Sequence, residues 1–336
     1  MNYIEFKEKV IGHILEYLPE AFAEADVSIH SVVKNNGVQL DGLTVRLPNS
    51  SIAPNIYGME EVKRGVSVFI CKALKGIRSE KVILIAAESG TGKSFLIEEL
   101  SKIVPITVAD SSSITASGYK GSNHLTTILN KVDTSGNTPT FIVLDEFNRL
   151  LQKGMSGWSE TSLLPELLVL FDDKDVSVNA GTDEKPYWVN PKNLFFILIG
   201  SFSNLTDITT NNNPIGFCVE MSSKSRTHRK QITKEMILEH LKDYPELIGR
   251  INRIFVNPNL TENDYRQILT NPKYSPATKL EQELGLSIKI TPKKMCQYIK
   301  DCYESNTGVR YVKNDMLEQV DTAIFDNPDI KEIIIK

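Results

Sequence analysis

One stretch constrains this chain more than any other: Ala87-Glu88-Ser89-Gly90-Thr91-Gly92-Lys93-Ser94, set between the apolar run Val82–Ala87 and a helix-period segment from Lys93 to about Ile103. Gly90 and Gly92 let backbone N–H groups converge on phosphate oxygens, and the start of the following helix turns its positive dipole end to the same point. Lys93 is placed to reach the β- and γ-phosphates of a nucleoside triphosphate, and the Ser94 hydroxyl to ligate Mg²⁺. Ala87 stands where such loops usually carry glycine, a position that asks for a small residue more than for a positive φ. Strand, glycine-rich turn and helix in this order make a phosphate-binding loop on a parallel sheet.

A second element supports the first. Thr140-Phe-Ile-Val-Leu-Asp145-Glu146 is an apolar strand that delivers two acids at its carboxyl end. Asp145 is expected to hold the Mg²⁺ shell and Glu146 to polarise the attacking water. Two acids alone would read as the surface end of a strand; together with the loop they read as an ATP site, with Mg²⁺ as its ion. A glutamate after Asp145 favours hydrolysis over binding alone.

Around these motifs the chain divides into three. Residues 1–51 read as a small α+β unit: Phe6, Val10, Ile14, Leu15 and Leu18 sit at helical spacing before Pro19, and Val27, Ile29, Ser31 and Val33 alternate as a strand. Asn36-Gly37 is the hairpin signal that leads into Val38–Leu47. Residues 52–257 alternate helices with solidly apolar strands at Val82–Ala86, Phe141–Leu144 and Leu194–Ile199, the pattern of a doubly wound parallel sheet. Residues 258–336 are expected to be mostly helical, with helices near Thr261–Leu269, Thr291–Glu304 and Val312–Phe325.

Composition excludes several classes. The 336 residues suit about two domains at ~150 each. The longest apolar runs are six residues, against the ~20 of a membrane helix. The opening MNYIEFKEKV has charges where a signal peptide would be apolar, so a cytoplasmic location is expected. Four cysteines form no CxxC pair, which argues against a structural zinc site or a disulfide framework. Lys and Arg number 38 against 42 Asp and Glu, a net charge of −4 that argues against a general nucleic-acid binder.

Three further strings carry a family resemblance. Val108-Ala-Asp-Ser-Ser-Ser-Ile-Thr-Ala-Ser-Gly118-Tyr119-Lys120-Gly121, Pro245-Glu-Leu-Ile-Gly-Arg250 and Thr307-Gly-Val-Arg310 resemble, in order and spacing, segments of ClpX-type AAA+ protein unfoldases. The likeness runs from about Ile52 to Lys336. It implies an AAA+ P-loop α/β domain with a small, mostly helical C-terminal lid, assembled as a homo-hexamer that threads protein substrates through a central pore.

Residue by residue, the resemblance makes Gly118, Tyr119, Lys120 and Gly121 the loop that grips the threaded chain, with Lys120 where an aliphatic residue is usual. Arg250 becomes an arginine finger reaching the neighbouring subunit's γ-phosphate, and Arg310 a lid arginine acting within its own subunit. Lys313 follows where a second arginine is common. Ser201 falls in the sensor-1 region, and Ile56 and Tyr57 match the segment that packs on adenine. Ile215-Gly216-Phe217 matches the tripeptide that docks into a ClpP-like peptidase. Two departures stand out. The family's zinc-binding N-terminal domain gives way to the Met1–Leu47 unit, which resembles an uncharacterised bacterial domain family, and Ala180–Trp188 lacks the family's basic pore-entrance loop.

Other readings compete. Ser51-Ile-Ala-Pro-Asn-Ile-Tyr-Gly-Met-Glu60 is similar to a stretch of MCM helicases, which leaves a nucleic-acid motor or loader as the alternative. A non-catalytic assembly module that uses nucleotide to set its oligomeric state is the third.

Overall fold

The computed structural model describes residues 27–34, 37–45, 53, 55–88, 90–104, 106–114, 124–132, 139–151, 164–172, 175–178, 187–202, 205, 231–304 and 308–336. Strands β1 (Val27–Lys34) and β2 (Gly37–Val45) form an antiparallel hairpin. Lys34 pairs with Gly37, so the second strand begins at the glycine of the Asn-Gly signal. The expected Phe6–Leu18 helix lies outside the described residues.

Helix α1 (Glu60–Leu74) buries Val62, Val66, Phe69, Ile70 and Ala73, a helical stripe. Glu60 and Glu61 in its first turn and Lys72 in its last complement its dipole. Gly65 sits where the helix crosses the sheet: a Cβ there would lie 2.1 Å from the Phe255 ring. After α1 come β3 (Val82–Ala87), α2 (Lys93–Ile103), β4 (Ile106–Asp110) and the short helix α3 (Leu125–Leu129). Then follow β5 (Thr140–Asp145), α4 (Leu164–Phe171), the small hairpin β6 (Val176–Val178) with β7 (Tyr187–Val189), and β8 (Leu194–Gly200). Helices α5 (Lys234–His240) and α6 (Pro245–Arg250) lead to β9 (Arg253–Asn257).

Five of these strands form one parallel sheet in the order β4-β5-β8-β3-β9. Alternate residues face opposite ways into two apolar clusters. Ile83, Ile85, Phe141, Val143, Phe195 and Ile197 pack with α1 and α2, whereas Leu84, Ile142, Leu144, Phe196 and Leu198 pack with α4. Covering both faces is why β3 and β8 read as unbroken apolar runs. Strands β3, β5 and β8 coincide with the apolar runs of the sequence, whereas β4 and β9 carry no such run. Those two are the edges, and their half-exposed residues, as in Ile106-Thr-Val-Ala-Asp110, dilute the apolar signal.

The C-terminal part holds α7 (Glu262–Thr270), α8 (Pro276–Leu284), β10 (Ser287–Ile290), α9 (Pro292–Glu304), α10 (Val309–Asp326) and β11 (Glu332–Ile335). Thr261 and Asp264 cap α7 reciprocally, as the Thr-Glu-Asn-Asp string anticipates. Strands β10 and β11 pair in parallel, a small sheet that sequence reading did not anticipate. A third apolar cluster, including Leu280, Tyr298, Val312, Met316 and Ile335, belongs to this part alone. Among the described residues no helix is long and apolar enough to cross a membrane.

Candidate functional site

Strand β3 lies between β8 and β9, yet the chain leaves it for α2 and the far-edge strand β4. The order therefore reverses at the carboxyl end of β3, where open α/β sheets bind ligands. Gly90 (φ +79°) and Gly92 (φ +97°) both adopt left-handed backbone there. Gly92 is the N-cap of α2 and brings no side chain to compete for the helix's first N–H groups. The buried Lys93 ammonium donates to the carbonyls of Ala87 (2.7 Å) and Glu88 (2.9 Å). Thr91 Oγ1 donates to the Glu88 carbonyl at 2.7 Å, bracing the turn. Burial pushes the Lys93 pKa below its ordinary value, against the opposing pull of Glu146, Asp145 and Glu88.

Asp145 closes β5, and Glu146 follows with φ +53°, a conformation that costs a non-glycine residue roughly 1–3 kcal/mol. Its backbone N–H donates to Asp145 Oδ1 at 2.9 Å, so the first acid holds the second in place. Arg149 Nε stands 3.7 Å from Glu146 Oε2. One turn deeper, the buried Asn148 Oδ1 accepts the Ser201 N–H at 3.1 Å, joining the turn after β5 to the end of β8. A Cβ on Gly200 would lie 2.6 Å from the Phe202 ring and 3.1 Å from Asn148 Oδ1, so this junction requires glycine. Asn148 and Gly200 gave no signal in sequence, because what they do is meet across two strands.

The C-terminal part closes over the same point. Gly308 has φ +54°, and a Cβ there would fall 2.5 Å from the Gly90 carbonyl oxygen. Two residues on, Arg310 Nη2 reaches Ser94 Oγ at 3.5 Å. Lys279 sets its ammonium 3.6 Å above the Phe95 ring, a cation–π contact between α8 and α2. Tyr57 donates to Asp264 Oδ1 at 3.1 Å and meets Tyr274 edge-on at 5.5 Å. Between the two parts lies a cavity of about 860 Å³. The walls bring together Ile56, Tyr57, Gly90, Thr91, Gly92, Lys93, Ser94, Asp145, Glu146, Arg310 and Lys313, all singled out from sequence.

The other sequence candidates fall elsewhere. Glu88 is buried at the foot of the loop, and Ser201 sits behind Asn148. Arg250, at the end of α6, stands apart from the cavity and is bonded to Asp172 and to the Glu246 carbonyl. Ser89, Gly118, Tyr119, Lys120, Gly121, Ile215, Gly216 and Phe217 lie outside the described residues. Of the Ala180–Trp188 interval, Tyr187 and Trp188 are described, and both belong to β7.

The residues present fit a nucleoside triphosphate with its ion. A buried ammonium resting on two neutral carbonyls, with Arg310 and Lys313 facing the same space, suits a polyanion. No group of three metal-binding side chains gathers among the described residues. Mg²⁺ needs none, since it takes one or two protein oxygens together with water and phosphate. Ser94 and Asp145 supply such oxygens.

Sheet order, phosphate loop, paired acids and closing C-terminal part fit an α/β P-loop ATPase of the AAA+ kind. Residues 38–139 match the MCM P-loop domain, and residues 3–67 match a family of unknown function, DUF5688. The chain is 24% identical over 320 aligned residues to the ATP-dependent Clp protease ATP-binding subunit ClpX of Treponema denticola, covering 83% of this chain and 77% of that one. To the subunit of the same name in two strains of Bacteroides fragilis it is 28% identical over 300 residues, covering 77% and 71%. These likenesses support a ClpX-type AAA+ ATPase.

Proposed function

We propose that this chain is an ATP-hydrolysing motor that unfolds or remodels proteins by drawing them through the pore of a homo-hexameric ring in the cytoplasm. The observation that carries the reading is the convergence of Lys93, Ser94, Asp145, Glu146 and Arg310 on one cavity closed by the C-terminal part. We divide the chain into an N-terminal unit (1–51), a nucleotide-binding domain (52–257) and a lid (258–336). The relatives named as Clp protease ATP-binding subunits support both the motor and a ClpP-like peptidase partner.

In this mechanism the N–H groups of Gly90 to Ser94, with Lys93, bind the phosphates, and Arg310 adds a positive charge from the lid. Ile56 and Tyr57 wall the adenine side. Ser94 and Asp145 hold Mg²⁺, which when bound neutralises phosphate charge. Glu146 orients the attacking water and takes its proton on a carboxylate oxygen. Arg250 serves the neighbouring subunit's site, where it stabilises charge on the transferred group. Movement of the lid against the nucleotide-binding domain drags Tyr119 along the pore, its ring gripping side chains without hydrogen-bond demands. Ile215-Gly216-Phe217 docks the peptidase.

Tyr119→Ala is expected to retain ATPase activity and lose unfolding of a tagged, folded substrate, followed by the substrate's fluorescence. Normal unfolding by this variant would contradict the threading role. ATPase stimulated by DNA but not by unfolded protein would favour the nucleic-acid alternative.

A further inference from the structure

We infer that Asp172 is a positioning residue for the arginine finger: its carboxylate fixes the plane and direction in which Arg250 is offered to the neighbouring subunit. The inference rests on the trans-acting role proposed above for Arg250. The two side chains meet as a fork, with Arg250 Nε donating to Asp172 Oδ1 at 2.9 Å and Nη2 to Oδ2 at 3.1 Å. Nη1 donates to the Glu246 carbonyl at 3.0 Å, one turn back on α6. Two bonds to a carboxylate and one to a backbone carbonyl define the guanidinium plane completely, which a single contact could not. One N–H remains on each of Nη1 and Nη2, with the Glu246 carboxylate 4.0 Å from Nη1, and these are the donors that would meet a phosphate.

Asp172 itself is firmly seated. It directly follows α4, whose last residue, Phe171, packs edge-on against Phe196 of β8 at 4.8 Å. Its backbone carbonyl lies 3.4 Å from the Nζ of the buried Lys81, which also donates to the Pro191 carbonyl at 2.7 Å. Lys81 directly precedes β3, so the support of the finger is tied to the strand whose other end carries the phosphate loop. The pair contributes little as a stabilising salt bridge, because the side chains are 29% and 45% exposed. What the fork provides is direction. A side chain with four rotatable bonds would otherwise sample many orientations, and a misplacement of about 1 Å at a reacting centre can cost ~100-fold in rate.

The test uses the full chain, with steady-state ATPase of the wild type, Asp172→Ala, Asp172→Asn, Arg250→Ala and the Asp172→Ala/Arg250→Ala double variant. Size-exclusion chromatography checks assembly. Asp172→Ala is expected to lower kcat about 10- to 100-fold with KM for ATP close to wild type. The double variant should be no slower than Arg250→Ala, because a positioner without its finger has nothing to position. Asp172→Asn keeps the shape and one acceptor oxygen, so it should fall between wild type and Asp172→Ala; if Asp172→Ala does not assemble, Asp172→Asn decides. Unchanged kcat in the Asp172 variants while Arg250→Ala is slow would overturn the inference, as would an equal further loss in the Arg250→Ala background. Full activity of Arg250→Ala would instead remove the finger role on which the inference stands.

Discussion

Lys93 is an ammonium in a place that opposes its charge. It is buried, its pKa is lowered by that burial, and two carbonyl oxygens are its hydrogen-bond acceptors. Lys93→Met keeps the stem and removes the charge. We expect nucleotide affinity to fall about 100-fold or more in calorimetric titration, the scale for truncating a buried charge partner. The melting temperature without nucleotide should hold steady or rise, since a desolvation penalty is removed with the charge. A large loss of stability with affinity retained would mean that Lys93 is structural. Residues of this kind were legible in sequence because their chemistry lies in short strings: Gly90 to Ser94, and Asp145 with Glu146. Asn148 and Asp172 were not legible, and Gly308 was legible only as part of the Thr307–Arg310 string, because each acts on a residue far along the chain, Ser201, Arg250 and Gly90 respectively.

At the scale of elements, the buried strands were legible and the edges were not. Strands β3, β5 and β8 are covered on both faces and announce themselves as apolar runs; β4 and β9 are half-covered and do not. The helices of the C-terminal part were found from their periodicity and caps, although α8 and the parallel β10–β11 pair were missed. The contact that joins this part to the phosphate loop is the start of α10, where Gly308 lies against the Gly90 backbone in a conformation that glycine adopts freely. Gly308→Ala introduces both a strained φ and a clash with the Gly90 carbonyl, which cannot yield as a flexible side chain would. Strain of roughly 1–3 kcal/mol should weaken closure and raise KM for ATP about tenfold, with a smaller effect on kcat. Unchanged KM in steady-state assays would mean that the closed arrangement of these two parts is not the one that binds nucleotide.

For the whole molecule, the proposed function divides labour between one subunit and its neighbour. Lys93, Ser94, Asp145, Glu146 and Arg310 converge on a single cavity, whereas Arg250 stands apart from it, braced by Asp172. On the proposed reading, a site so arranged is incomplete in a lone chain and is finished by the next copy in a ring. On that reading, Glu146→Gln subunits should bind nucleotide but lack the base, and Arg250→Ala subunits should keep the base but have no finger to lend. Each preparation alone should hydrolyse ATP at least about 100-fold more slowly than wild type. Mixing the two is the most direct test, because an Arg250→Ala subunit that receives the intact Arg250 of a Glu146→Gln neighbour has a complete site. The mixture is expected to regain phosphate release well above either component. A mixture as inactive as its components, under conditions in which both are shown to co-assemble, would contradict it.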